Sequence, residues 1–161
     1  MKRWICLSLM ILIFATTLLG CAPDTAQSDT METKPDTQSQ TASVTRGEAY
    51  SDKDHVALYL NLYGELPPNF VTKREAENAG WNSHKGNLNE VMPGKSIGGD
   101  HFGNHEGVLP KEHGVSYTEC DIDYTHGTRN GKRIIFSNRG DIYYTDDHYK
   151  TFTQLCKGEG R

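Results

Sequence analysis

Hydrophobic positions take three different textures along the chain. From Trp4 to Leu19 they form a run without a single charge. From Ala22 to Tyr50 they thin out into a stretch rich in Thr, Ser, Asp and Gln, with no aromatic before Tyr50. From Ser51 to Cys156 they recur with regular spacing. In that last part Val56, Tyr59, Leu60 and Tyr63 follow the helical period, with Ser51 and Asp52 as cap candidates and Gly64 as the stop. Pro67-Pro68 enforces an extended connection, and Thr72-Lys73-Arg74-Glu75 is a capping-box pattern that opens a second helix ending at Gly80. A short third helix fits Asn87 to Val91.

From Gly94 onward the pattern turns to strands. Cys120, Ile122 and Tyr124 alternate with Glu119, Asp121 and Asp123, which gives a strand one apolar and one polar face. Asn130-Gly131 is a hairpin signal ahead of a strand at Arg133 to Ser137. Asn138 to Asp141 turns into another at Ile142 to Thr145, and Tyr149 to Leu155 supplies a short last strand. Helices first and a meander afterwards predict an α+β fold, with N-terminal helices packed on an antiparallel β-sheet.

The 161 residues carry a formal net charge of −4, so the chain has no general attraction to nucleic acid, and a polyanion would need a local basic cluster. Lys2 and Arg3 ahead of the apolar run make an export signal, and Leu18-Leu19-Gly20-Cys21 resembles the lipobox of bacterial lipoproteins. Residues 1–21 are therefore expected to be a signal peptide, with lipid on Cys21 holding the protein to the extracytoplasmic side of a bacterial membrane. A signal cut without lipidation would release it instead. Residues 22–50 are expected to be a disordered polar tether, and residues 51–161 the folded domain. Two cysteines in an exported domain, Cys120 and Cys156, suggest a disulfide; two buried free thiols are the alternative.

Polar groups collect on one face of the predicted sheet: Glu119, Arg133, Arg129 by the hairpin and His148 beyond Asp146-Asp147. A carboxylate, guanidiniums and an imidazole on one surface suit acid–base cleavage of a phosphodiester, in which one group takes a proton from a hydroxyl and another protonates the leaving oxygen. The same pattern also suits a solvated strand face laced with cross-strand ion pairs.

The runs LPPNFVTKREAENAGW (Leu66 to Trp81), KGNL (Lys85 to Leu88), PGKSIGGD (Pro93 to Asp100), DIDYT (Asp121 to Thr125), RNGKRI (Arg129 to Ile134) and DHYKTFT (Asp147 to Thr153) resolve the choice. In this order and spacing the chain from about Asp54 to Thr153 resembles the barnase/binase-type, guanyl-preferring bacterial ribonucleases. The resemblance implies their microbial-ribonuclease fold and an endoribonuclease that needs no metal or cofactor. It implies Glu119 as the general base on the ribose 2′-OH and His148 as the general acid. Lys73, Arg129 and Arg133 would hold the phosphate and its transition state. The products would be a 2′,3′-cyclic phosphate and then a 3′-phosphate, so DNA would not be cut. The guanine-binding loop falls at Phe102, Gly103, Asn104, His105 and Glu106, with Phe102 and Tyr149 offering stacking faces.

Two positions depart from the family pattern: Gly103 where serine is usual and His105 where arginine is usual. The second trades a permanent charge for a titratable one, which predicts weaker and more pH-dependent RNA binding. It also bears on the barstar-like inhibitor protein that the resemblance raises as a partner; the chain is otherwise expected to act on RNA as a monomer. His101, His105, Asp100, Glu106 and His113 could be read as zinc donors, but they lie in a Gly-rich stretch without the H-E-x-x-H spacing. A surface binding module that keeps the fold without catalysis is the rival from another class; Glu119, Arg133 and His148 all being present argues against it.

Overall fold

The computed structural model describes residues 42–158. The expected signal peptide with Cys21, and most of the expected tether, lie outside them. Helix α1 (Lys53–Tyr63) starts where Asp52 accepts from the His55 backbone and stops at Gly64 in the left-handed region, as the sequence predicts. Helix α2 (Lys73–Asn78) opens with the full capping box: Thr72 accepts from the Glu75 backbone and Glu75 accepts from the Thr72 backbone. Helix α3 (Leu88–Val91) is a single turn.

The strands are β1 (Phe70–Val71), β2 (Ser96–Phe102), β3 (Tyr117–Asp121), β4 (Arg133–Ser137), β5 (Ile142–Thr145) and β6 (Thr153–Cys156), and they form one sheet in chain order. β2 to β6 pair antiparallel; the two-residue β1 pairs parallel with β2, so the sheet is mixed rather than purely antiparallel. The Asn130-Gly131 pair does not make a two-residue hairpin turn. Asp121 pairs with Arg133, and Asn130 lies inside the long loop between them, its amide donating to the carbonyls of Ile122 and Asp123.

Val56 and Leu60 of α1 pack on Cys120, Ile122, Ile134 and Ile142, which closes one face of the sheet with apolar surface alone. Ala76, Trp81, Leu88, Ile97 and Tyr124 form a second cluster under α2 and α3. On the opposite face Tyr117, Ile135, Tyr143 and Leu109 make a smaller core, with Phe102, Tyr149 and Phe152 against it.

Two expectations are corrected here. Cys120 and Cys156 are free thiols, because they stand on β3 and β6 with two strands between them. Three strand spacings separate them by on the order of 14 Å, while a disulfide needs Cα atoms within about 7 Å. The folded part also begins before Ser51. The Val44 carbonyl accepts from the Tyr63 hydroxyl, the Gly47 N–H donates to the Tyr59 hydroxyl, and the Tyr50 N–H donates to the Asn69 side chain. Tyr50 packs among Tyr59 and His55, so a segment poor in aliphatics is held through aromatic rings on α1.

Candidate active site

Because side chains alternate along β3, the residues flanking Cys120 point away from α1. Glu119 lies level with Ile135 and Asp121 level with Arg133. This face is not solvated: Glu119 is 5% exposed, and Asp121 and Arg133 are each 1% exposed. Charges so buried must be paired, and each of them is.

Glu119 is held from two sides. The Lys73 ammonium, from the first residue of α2, is 2.5 Å from Oε1, and the Tyr149 hydroxyl donates to Oε2 at 2.8 Å. Burial pushes the Glu119 carboxyl up, but these two bonds and the charges of Lys73 and Arg129 outweigh it and hold the group below the usual carboxylate range. Lys73 is placed by its own backbone, whose N–H donates to Asp100 at 2.9 Å. Asp100 comes level with Glu119 through an irregularity in β2, where Gly99 takes φ +96°, a conformation that other residues rarely adopt.

Asp121 anchors both arginines. Arg129 donates to it in a two-pronged pair at 2.7 and 2.5 Å, and Arg133 Nε lies 3.0 Å from Oδ1 without the alignment of a hydrogen bond. Arg133 also donates to the Lys132 carbonyl at 2.6 Å, and its guanidinium sits 5.9 Å from the centre of the Tyr149 ring. Burial lowers the pKa of Arg129, but the bond to Asp121 and neighbouring negative charge outweigh this and raise it.

His148 and Tyr149 follow β5 with φ of 61° and 70°, two consecutive left-handed residues that are not glycine. Such backbone persists only where the surroundings over-determine it. Asp147 does so: it accepts from the hydroxyls of Thr145 and Thr151 and from the N–H groups of Lys150 and Thr151. Those bonds, the Thr151 hydroxyl first, push its carboxyl down to about 2. The His148 N–H donates to the Gly131 carbonyl, which docks the turn on the loop that carries Arg129.

One groove of about 740 Å³ gathers most of the predicted residues: Lys73, Glu119, His148 and Tyr149 line it together with Phe102 to Glu106. Arg129 and Arg133 do not line it; they are tied to Asp121. Within the loop, the Asn104 side chain turns inward and bonds both the N–H and the carbonyl of Leu109, so only its backbone faces the groove. Tyr149 is not a free stacking face either, since its ring already stacks on Phe102 at 5.4 Å and on His148 at 5.2 Å. The His105 ring folds over Gly103, where a Cβ would collide with it. The two departures from the family pattern are thus one local arrangement. Among the described residues, no three metal-ligating side chains come together.

Two residues that organise this site, Asp121 and Asp147, were not singled out from the sequence, and a third, Asp100, was weighed only as a zinc donor. For Asp121 a signal existed, since a carboxylate two residues from Glu119 shares its face and lies level with Arg133.

A family model described as ribonuclease matches residues 53–156. The chain belongs to this ribonuclease family. A ribonuclease from Bacillus pumilus is 43% identical, covering 92% of this chain and 94% of its own. One from Heyndrickxia coagulans is 51% identical over 63% of this chain and 94% of its own. A solved structure of ribonuclease Sa2 with guanosine-2′-cyclophosphate is 33% identical over 34% of this chain and 62% of its own, with a TM-score of 0.30; so small an overlap bears nothing further. The ribonuclease thus presents, in one groove, a paired buried carboxylate and an imidazole on a strained turn.

Proposed function

We propose that this ribonuclease is an endoribonuclease that cuts single-stranded RNA, preferentially after guanosine, by transesterification through the 2′-hydroxyl. The observation that carries the reading is the groove in which ionised Glu119, His148 and the Phe102–Glu106 loop meet. Glu119 takes the 2′-OH proton, the 2′-oxygen attacks phosphorus, and the P–O5′ bond breaks as His148 protonates the leaving oxygen. Water then opens the 2′,3′-cyclic phosphate to a 3′-phosphate with the two roles exchanged. Lys73, Arg129 and Arg133 supply positive charge to the phosphate, the arginines in an orientation set by Asp121.

Guanine preference is assigned to the loop. Backbone N–H groups from Gly103 to Glu106 suit guanine O6, and the exposed Glu106 carboxylate suits its N1–H and amino group. His105 beside them makes RNA binding weaker and more pH-dependent than an arginine would. An acidic inhibitor of the barstar type would cover the same groove, and His105 would loosen that pairing too. Lys2, Arg3, the run Trp4 to Leu19 and Gly20-Cys21 support export and a lipid anchor at Cys21, with the enzyme acting as a monomer outside the cytoplasm.

The test is product analysis. With EDTA present, a guanosine-led dinucleotide is expected to give guanosine 2′,3′-cyclic phosphate by mass spectrometry, and its 2′-deoxy analogue to stay intact. Cleavage of the deoxy analogue, or no cyclic product from folded protein between pH 5 and 8, would overturn the mechanism.

A further inference from the structure

We propose that Tyr149 is a positioning residue for the proposed base. Its hydroxyl and the Lys73 ammonium each take one oxygen of Glu119, so that the carboxylate is fixed in direction. The inference rests on Glu119 acting as the base and adds a residue whose role would otherwise be read as base stacking.

Four observations converge on it. The Tyr149 hydroxyl donates to Glu119 Oε2 at 2.8 Å while Lys73 holds Oε1, so both oxygens are engaged. A carboxylate 5% exposed has little water to replace either donor, so a lost donor leaves buried charge short of partners. The Tyr149 ring is fixed by Phe102 and His148 stacked on it and by the Arg133 guanidinium, an arrangement that holds the hydroxyl still rather than offering a free face to a base. Finally, Tyr149 meets Glu119 from a backbone at φ 70°, strain that the Asp147 turn sustains.

The charged surroundings of Glu119 are Lys73 from α2, Asp100 level with it on β2, Arg129 from the β3–β4 loop, and Arg133 behind the Tyr149 ring on β4. His148 and His101 share the groove. Lys73 and Arg129 favour the ionised form, and Asp100 opposes it while its own carboxylate accepts from the Lys73 N–H. The Tyr149 hydroxyl donates only while it keeps its proton. Burial first, and then Glu119, push its titration up to about 12, so the hydroxyl keeps its proton and can donate through the neutral range.

Coupling of this kind is reciprocal, which makes it measurable from either end. Tyr149→Phe keeps the ring and removes only the donor. Carbon-13 NMR of the side-chain carboxyls is expected to place Glu119 titration at higher pH in this variant than in the wild type. Conversely, Glu119→Gln is expected to bring the Tyr149 phenol below its raised value of about 12, read on carbon-13-labelled tyrosine. In cleavage assays, the acid limb of kcat/KM should move to higher pH by about one to two units in Tyr149→Phe, the size of one hydrogen bond to a charged group. An unmoved Glu119 titration together with an unmoved Tyr149 titration would overturn the proposal. If Glu119→Ala cleaved RNA as fast as the wild type, the assignment of the base would fail, and the two titrations would still judge the clamp separately.

Discussion

Cys120 and Glu119 are neighbours on β3 and are 0% and 5% exposed, yet they close the two faces of the sheet by opposite means. On the α1 face, Val56, Leu60, Cys120, Ile122, Ile134 and Ile142 exclude water with non-directional apolar contact. On the other face, beside the small apolar cluster of Tyr117, Ile135, Tyr143 and Leu109, the Glu119, Lys73 and Tyr149 group and the Asp121, Arg129 and Arg133 group exclude it with charges that need particular partners in particular places. The apolar face can lose a methyl and relax. The charged face cannot lose one member without leaving another stranded, so stability and chemistry are bound together there.

The largest expected effect is on the reaction. Glu119→Ala and His148→Ala should each lower kcat/KM on RNA by about 100-fold to 10,000-fold, the range for a lost general acid or base. Thermal unfolding followed in parallel guards against simple loss of the fold. Next comes Asp121→Asn, which leaves two guanidiniums without their shared charge. Urea unfolding should register a loss of about 3–5 kcal/mol, and a loss below about 1 kcal/mol would erase the contrast between the faces. Ile134→Val, one residue from Arg133 but turned to α1, should cost only about 0.5–1.5 kcal/mol and leave kcat/KM as it was.

The Asp147 turn offers a pH-dependent version of the same contrast. Its folded carboxyl, at about 2, lies below the ordinary value of 3.8. Its contribution is therefore complete above the ordinary value and fades as pH falls through the folded one. Asp147→Asn should thus destabilise the protein relative to wild type at pH 6, with the gap closing towards pH 2 in thermal melts. The smallest effect is expected at the exposed rim. His105→Arg installs a permanent charge and should lower KM for RNA a few-fold, in keeping with the modest worth of about 0.2–1 kcal/mol of an exposed charge.

What was readable from sequence follows the same division. Apolar periodicity located α1, and the Thr72–Glu75 box located α2, because both are local signals. Alternation placed Cys120 and Glu119 on opposite faces of β3, and the resemblance led to the residues that meet in the groove. What local pattern does not encode was missed. β1 is two residues long and exists only through its parallel partner. The separation of Cys120 from Cys156 depends on strand order rather than on cysteine count. Aromatic rings on α1 gather Val44 to Tyr50, a stretch whose own composition reads as tether. The inward turn of Asn104 and the anchoring by Asp121 are likewise products of packing; a polar letter in the sequence does not say whether it will meet substrate or hold up a neighbour that does.

The most direct test of the central claim, that the clamped carboxylate of the groove is the base, is the pH profile of kcat/KM on a guanosine-led dinucleotide for the wild type and Glu119→Ala. The wild type is predicted to gain activity on the acid side as Glu119 ionises, below the usual carboxylate range, and the variant to lose that limb along with most of its rate. An acid limb that survives unchanged in Glu119→Ala would contradict the account.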